Sequence, residues 1–315
     1  MSGRISNART FFNELEATME IGAFEERIDS PQLLALCRKI SGSTEIINLS
    51  RICERYGTNP EDVRKYDVYR IDTAAGQRIL KKASQREIEN YNTFLMGTSL
   101  PVPRYYGSCT AGDALWMMLE FLPGGDLRDM TDALAAAAAE SLAAIQNAYW
   151  NHTPGERFTA YQERIERRYA FIRNTPVLGE AYRLFLERQK DCPRTLSHGD
   201  FLQFNTVNHD GKVYAIDWGN GGVMPYNLDI ARFIAHGSED RLPFPFYMTQ
   251  AQKALFVQRV YQCLDCKPEY RQYLFDIQLA VLNEYVEFME ADEDEDGWYL
   301  THASTLAQEI LAASN

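Results

Sequence analysis

Residues 196–205 read LSHGDFLQFN, and residues 213–219 read VYAIDWG. Asp200 is followed five positions later by Asn205, and a short apolar strand then ends in a second aspartate, Asp217. Aspartate, asparagine and glycine are also ordinary turn residues, so the His-Gly-Asp tripeptide alone carries little information. Two aspartates and an asparagine in this order are a much more specific indication of a catalytic site than the tripeptide alone.

This order is the catalytic layout of protein kinases, in which one side chain acts as a base and two hold metal ions. It predicts that Asp200 accepts the proton of an acceptor hydroxyl. Asn205 and Asp217 would hold Mg²⁺ through oxygen atoms, the ligand type that this ion prefers. Phosphoryl transfer depends mainly on placing the hydroxyl and neutralising charge. We expect a structural role for His198.

The two motifs, His-Gly-Asp and Ile-Asp-Trp-Gly, resemble those of the aminoglycoside phosphotransferase and choline kinase-like superfamily of small-molecule kinases. The resemblance extends over residues 66–233. It implies an α+β, protein-kinase-like fold with two lobes, a small antiparallel-sheet N-lobe and a larger helical C-lobe. It further implies an N-terminal extension and nucleotide-binding N-lobe at 1–118, a hinge at 119–125 and a helical C-lobe at 126–315. The expected cofactors are Mg²⁺ and ATP, with GTP as the alternative donor.

The predicted N-lobe contains a hairpin. Residues 68–73 and 77–81 are rich in β-branched, aromatic and other strand-forming side chains, and an Ala-Ala-Gly turn separates them. By its position in the family, Lys81 at the end of the second strand is the lysine that neutralises the nucleotide phosphates. Lys82 is the alternative, because successive side chains of a strand point to opposite faces.

A helix is predicted at 84–96. It carries two glutamates that could form an ion pair with the lysine. The family spacing favours Glu89, with Glu87 as the alternative. The apolar strand that follows ends in Pro-Gly-Gly, which is typical of a hinge but equally of an edge strand ending in a turn. The resemblance implies that the Glu120 carbonyl and the Leu122 amide contact the adenine.

The phosphate loop is not defined by the sequence. Residues 56–65 occupy its position but contain a single glycine and no glycine-rich motif. Thr58 and Asn59 could contact phosphate, although Pro60 lacks an amide donor.

Helical periodicity predicts a helical second half, with helices at 132–150, 160–173, 178–190, 227–236, 249–263 and 270–290. Asp229 matches an aspartate that braces the catalytic loop in the family. Its alternative is an ordinary first-turn acid favoured by the helix dipole. Near the N-terminus, Phe11, Leu15 and Met19 share one helical face, and Ser30 followed by proline predicts the start of another helix.

Composition narrows the class of partner. The chain has 315 residues, a formal net charge of −12 and a sequence pI of about 5.0, which disfavours nucleic-acid binding. No apolar stretch is long enough to span a membrane and no leader precedes the first helix, so we expect a cytoplasmic protein, monomeric or dimeric. The six scattered cysteines are expected to be reduced thiols.

The acceptor is the least defined part of the prediction. The resemblance implies a hydroxylated small molecule, most often cationic, with an aminoglycoside or another hydroxylated antibiotic as the leading expectation. The acids of the last predicted helix (Asp276, Glu284, Glu287 and Glu290) and the acidic run 292–296 would suit a cation, or would be a solvated surface. Phe201 and Leu202 depart from the small or acidic residues of many aminoglycoside kinases. The alternatives are a kinase of a metabolite alcohol and a catalytically silent module.

Overall fold

The computed structural model describes residues 22–42, 46–56, 59, 61–237, 247–294 and 296–314. The predicted helical face with Phe11, Leu15 and Met19 lies outside the described residues, as do Thr58 and Pro60. The chain divides into two compact units. The first contains the described parts of residues 1–83 and 105–121, and the second those of 84–104 and 122–315.

The first unit is built on a six-stranded antiparallel sheet with the strand order β1-β2-β3-β4-β6-β5. Its strands are β1 (Gly22–Arg27), β2 (Ile46–Arg55), β3 (Val63–Thr73), β4 (Gly76–Ala83), β5 (Tyr105–Ala111) and β6 (Ala114–Glu120). Strands β3 and β4 form the predicted hairpin, in which Thr73 pairs with Gly76 and the Thr73 hydroxyl donates to the Gly76 carbonyl at 2.7 Å.

The edge of this sheet is not predicted by the sequence. Strand β1 has no regular alternation of apolar and polar residues, so its pattern lacks a strand signal. The strand is defined instead by six paired positions with β2 and by ion pairs from Glu25 to Arg70 (2.7 Å) and Glu26 to Lys65 (2.8 Å). Helix α1 (Pro31–Ser41) begins where predicted, with Ser30 as its cap, and packs on the sheet core.

The second unit is mainly helical. Its helices are α2 (Gln85–Asn90), α3 (Asp132–Ala148), α4 (Glu156–Ile172), α5 (Pro176–Gln189), α6 (Asn227–Ala235), α7 (Gln250–Cys263), α8 (Tyr270–Glu290) and α9 (Trp298–Ser314). A core of apolar side chains joins five of them, α4, α5, α6, α8 and α9. Helix α2 is shorter than predicted because the chain widens into a π-helical turn at Tyr91–Leu95.

Two short antiparallel strand pairs lie among these helices. Strand β7 (Arg194–Ser197) pairs with β10 (Gly222–Pro225), and β8 (Thr206–His209) pairs with β9 (Lys212–Ala215). They carry the two sequence motifs quoted above at their ends. The predicted fold class, an antiparallel-sheet lobe and a larger helical lobe, is therefore confirmed. Within the described residues, no helix is both long and apolar enough to span a membrane.

Candidate active site

Asp200 lies in a tight loop after β7, which we call the Asp200 loop (residues 198–205). The Asn205 side-chain amide donates to both the Asp200 carbonyl and the Asp200 carboxylate, each at 2.9 Å. A single 3₁₀ turn, Gln203–Asn205, brings the asparagine back to the aspartate. Because the amide nitrogen of Asn205 faces Asp200, its carbonyl oxygen is the atom left for a cation.

Gly199 fixes the path of this loop. Its φ is +76°, a conformation that costs other residues about 1–2 kcal/mol. A Cβ atom here would also overlap the carbonyl oxygen of Asn220. The glycine of the His-Gly-Asp motif is therefore required both by its backbone angle and by the close approach of a neighbouring turn.

We expect Gly199→Ala to lower the free energy of unfolding by at least about 3 kcal/mol, because strain and steric overlap add. Gly211→Ala is the matched control, since Gly211 has a φ of +80° but no atom near the added methyl group. The free energy of unfolding of this control should fall by only about 1 kcal/mol. Urea unfolding of both variants tests this, and equal losses would show that the Asn220 contact imposes no constraint.

Asp217 follows β9 with a φ of +65° and an exposed side chain. The residue before it, Ile216, joins its turn to the Asp200 loop: its amide donates to the Asn205 carbonyl at 2.9 Å, and its carbonyl lies 2.7 Å from His198 Nε2. These bonds bring Asp200, Asn205 and Asp217 into one local assembly. The His198 ring is buried, with its centroid 4.8 Å from that of Trp218.

Asp229 is buried behind the same loop. Its carboxylate accepts from the Ser197 hydroxyl (2.9 Å), the His198 amide (2.6 Å) and the Gly199 amide (2.9 Å). Burial raises the pKa of Asp229, although His198 and these donors oppose the shift. The residue thus braces the loop from the third position of α6, the arrangement that the sequence resemblance implies.

Asn90 braces the Asp217 turn in a comparable way and is not predicted from the sequence. Its buried amide donates to the carbonyls of Trp218 (2.7 Å) and Gly221 (3.1 Å), more than 120 positions along the chain. A lone asparagine in a predicted helix gives no signal of such a contact.

Arg232 is the second residue that sequence reasoning missed. Its guanidinium donates twice to Asp200 Oδ1, at 3.1 and 2.9 Å, and once to Glu284 Oε2 at 2.8 Å. His236 Nε2 lies 3.3 Å from the same Glu284 oxygen. Although burial opposes it, the surrounding carboxylates raise the pKa of Arg232, so this group stays charged. No signal in the sequence indicates these contacts, because the carboxylate partners of Arg232 lie 32 and 52 positions away along the chain.

The same network predicts a pH effect on stability. Burial alone would raise the pKa of Glu284, but Arg232 and His236 lower it from 4.5 to about 2. Ionised Glu284 therefore contributes on the order of 3 kcal/mol above pH 4.5, and this is lost as the pH falls towards 2. The difference in free energy of unfolding between wild type and Glu284→Gln, measured by urea titration, should therefore shrink as the pH falls from 4.5 towards 2. Glu187→Gln, at an exposed pair with Arg183, should show a small gap at every pH.

The sequence profile of the phosphotransferase enzyme family, APH, matches residues 60–265. The chain belongs to this family. It is a small-molecule kinase with a protein-kinase-like fold. No curated protein sequence matches the chain.

Solved structures share the fold of this phosphotransferase at low sequence identity. One is a protein provisionally assigned as a fructosamine-3-kinase from Haemophilus somnus 129PT, with a TM-score of 0.54, 14% identity and coverage of 89% of this chain and 96% of that one. A thermostable mutant of the aminoglycoside phosphotransferase APH(4)-Ia, solved with ADP and hygromycin B, has a TM-score of 0.51 and 16% identity, and the match covers 90% of this chain and 98% of that one. Amicoumacin kinase hAmiN, solved with AMP-PNP, Ca²⁺ and Ami, has a TM-score of 0.51 and 14% identity, and the match covers 77% of this chain and 84% of that one.

In the phosphotransferase, the residues predicted to serve the nucleotide differ in burial. Lys81 is half-buried on β4, whereas the side chain of Lys82 is 54% exposed and lies 4.0 Å from Asp67. Glu87 is buried on α2, but Glu89 is exposed and accepts from Gln85 at 2.9 Å. Because a buried carboxylate requires compensating partners, burial favours Glu87 over Glu89, the residue preferred on family spacing.

The boundary between the two compact units falls after Phe121, within the predicted hinge segment. Glu120 ends β6, and Leu122 is nearly buried in the second unit. Three residues later, the backbone of Gly125 pairs with Asn208. A Cβ on Gly124 would overlap the Asn208 carbonyl, which explains one glycine of the Pro-Gly-Gly run.

The acids of α8 do not form an open anionic wall, because each has an arginine partner. Asp276 binds Arg188 at 2.6 Å, Glu284 binds Arg232 at 2.8 Å, Glu287 binds Arg168 at 2.7 Å, and Glu290 binds Arg167 at 2.5 Å. In the acidic run, Asp294 caps α9 by accepting from the amides of Tyr299 and Leu300. Helix α8 therefore offers a cation little uncompensated negative charge.

Proposed function

We propose that this protein transfers the γ-phosphate of ATP or GTP, with Mg²⁺, to a hydroxyl of a small molecule. The observation that carries the proposal is the setting of Asp200. Its carboxylate is half-buried, oriented by Asn205 and Arg232, and lines a cavity of about 180 Å³, which we call the Asp200 cavity. A positioned carboxylate at the wall of a cavity is suited to act as general base towards a bound hydroxyl.

Arg232 has a supporting role in this proposal. It holds one oxygen of Asp200, and Asn205 holds the other, so the carboxylate has a fixed orientation before the acceptor binds. Such preorganisation removes the need to reorient the base during the reaction. We infer that Asp200 takes the hydroxyl proton as the acceptor oxygen attacks the γ-phosphorus, while the bond from this phosphorus to the bridging oxygen breaks and ADP or GDP leaves.

The metal and nucleotide residues follow from the same layout. Asn205 and Asp217 offer an amide and a carboxylate oxygen, which fit Mg²⁺, and nucleotide phosphates and water would supply its other ligands. When bound, Mg²⁺ neutralises phosphate charge. We assign Lys81 to the nucleotide phosphates, and Glu87, with Glu89 as the alternative, to the support of this lysine. The Glu120 carbonyl and the Leu122 amide are assigned to the adenine, with residues 119–125 as a hinge.

Lys81 and Lys82 provide a test of the nucleotide assignment. Lys81→Ala should raise the nucleotide KM by about tenfold or more, the loss expected for a charged hydrogen bond. Lys82→Ala should leave it near wild type because that side chain is exposed beside Asp67. Steady-state kinetics with varied nucleotide measures both, and the reverse ranking would show that the opposite strand face serves the nucleotide.

The acceptor is a hydroxylated small molecule, either an antibiotic or a metabolite alcohol. The sequence favours a cationic aminoglycoside, but the arginine partners of the α8 acids argue against a polycation. Release of ADP or GDP should therefore be measured with either nucleotide and Mg²⁺ across aminoglycosides, other antibiotics, choline, ethanolamine, sugars and sugar acids. Acceptor-dependent release supports the proposal. Bound nucleotide without release for any acceptor would support a silent module instead.

A further inference from the structure

The Asp200 cavity has an unusual balance of charge. Its lining includes Asp200, Arg232, Glu284 and three arginines of α4: Arg157, Arg164 and Arg168. The three arginines of α4 follow one another at helical spacings of seven and four residues, with Tyr161 between the first two, so they form one stripe. The sequence shows this stripe, but nothing in it indicates which way the stripe faces.

Two of these arginines are already matched by carboxylates. Arg232 binds Asp200 and Glu284, and Arg168 binds Glu287 at 2.7 Å and Asn283 at 2.9 Å. The remaining acid of the lining, Asp229, is occupied by its three loop donors. The carboxylates of the cavity are thus committed to groups other than Arg157 and Arg164.

Arg157 and Arg164 are partly buried without such a match. Within the described part of the chain, neither has a carboxylate at salt-bridge distance, and the Nε atoms of both are buried without a hydrogen-bond acceptor. Arg157 donates once, to the Asn220 carbonyl at 2.9 Å. Its stem packs on Gly222, where a Cβ would meet the Arg157 Cγ, so the absence of a side chain there makes room for it.

The electrostatics of the pair favour an incoming anion. Burial, followed by Arg86 and Arg164, lowers the pKa of Arg157 to about 10. Burial and Arg168 lower the pKa of Arg164 in the same way. A charged guanidinium that is penalised by burial gains most when a carboxylate or phosphate forms paired hydrogen bonds with it.

We propose that the acceptor carries an anionic group, a carboxylate or a phosphate ester, which Arg157 and Arg164 bind while its hydroxyl faces Asp200. This inference rests on the phosphotransferase function proposed above and names the class of its acceptor. The size of the cavity agrees, since ~150 Å³ is enough to hold one benzene ring and about 180 Å³ is available here. A ring-sized hydroxy acid or sugar phosphate fits this description better than a polycationic antibiotic.

The first test is anion binding without nucleotide. Inorganic phosphate and D-gluconate are titrated at constant ionic strength while the melting temperature is followed, since a ligand of the folded state raises it. Arg157→Gln and Arg164→Gln should require about tenfold or more higher anion concentration than wild type for the same shift. Arg167→Gln is the matched control, because Arg167 lies on the same helix, is 63% exposed and pairs with Glu290. An equal response of all four proteins would overturn the proposal.

These variants should also fold. Replacing a partly buried, unmatched arginine removes a desolvation cost, so the melting temperatures of Arg157→Gln and Arg164→Gln without anion should equal or exceed that of wild type.

The second test identifies the source of the anion with matched acceptors: glucose, gluconate and glucose 6-phosphate, and glycerol, glycerate and glycerol 3-phosphate. Wild type should prefer an anionic member by at least about tenfold in kcat/KM, and the two arginine variants should lose this preference. A preference for gluconate and glycerate indicates a carboxylate, and a preference for the esters indicates a phosphate. If the variants slowed neutral and anionic acceptors equally, the arginines would act on the transferred phosphoryl group, and the proposal would be wrong.

The two proposals fail in different ways. Anion binding that depends on Arg157 and Arg164, together with no transfer to any acceptor, would count against the phosphotransferase function and leave the anion site supported. Transfer to neutral acceptors, together with anion binding that does not depend on these arginines, would support the phosphotransferase function and overturn the anion site.

Discussion

Asp200→Asn is expected to lower kcat by about a thousandfold, the middle of the range for loss of a general base. The asparagine side chain has nearly the same shape, so contacts with Asn205 and Arg232 can persist in part. It cannot accept a proton at neutral pH, which removes the proposed chemical role. Release of ADP with a responsive acceptor measures the change, and binding of the Mg²⁺–nucleotide complex should stay near wild type.

The matched control is Asp210→Asn, the same substitution in the turn between β8 and β9, where the side chain is 93% exposed. It should leave kcat unchanged. If Asp200→Asn lost nucleotide binding together with activity, Asp200 would be a structural residue of the loop. If it kept full activity, another group would take the proton, and the central assignment of the proposal would be wrong.

Asp217→Asn is expected to weaken binding of the Mg²⁺–nucleotide complex by at least about a hundredfold. Loss of residues that only orient a metal ligand costs 10–100-fold, and loss of a charged ligand should cost no less. Because asparagine also tolerates a positive φ, the turn at Asp217 should keep its shape. Titration with nucleotide in the presence and absence of Mg²⁺ separates the metal-dependent part of the affinity.

Asp292→Asn is the control for this variant, because Asp292 is also an exposed aspartate with a positive φ, +60°. It should bind the Mg²⁺–nucleotide complex as wild type does. An equal, small effect of both substitutions would show that Asp217 does not hold the metal. A loss of affinity for nucleotide without Mg²⁺ would point to a folding defect of the turn instead.

The parts of the site that the sequence predicts are those encoded by short spacings. Asn205 lies five positions from Asp200, so one turn is enough to bring the predicted base and the predicted metal ligand together. The hairpin of β3 and β4 and the cap at Ser30 are local in the same sense. Asp229 was predicted only through the family resemblance, since its three donors lie about 30 positions away.

The alternatives that the sequence left open depend on burial. Glu87 and Glu89 are two positions apart on one helix, and their spacing cannot decide which one is enclosed. The structure buries Glu87 and exposes Glu89 because the two positions face different sides of α2. From the sequence, the acids of α8 suit either a cation site or a solvated surface, because the pattern of charge along one helix does not show the arginines that other helices place against it.

The sequence by itself was enough to predict the fold class and the family, through the resemblance of two motifs, together with the order of Asp200, Asn205 and Asp217, because short motifs are properties of neighbouring residues. Only the tertiary structure decided the surroundings of Asp200. Arg232 reaches it from 32 positions away, Asn90 supports the Asp217 turn from 128 positions away, and α4 directs Arg157 and Arg164 into the same cavity. Such contacts arise when packing of apolar faces fixes the rotation of each helix, which the polar residues on the opposite face do not reveal.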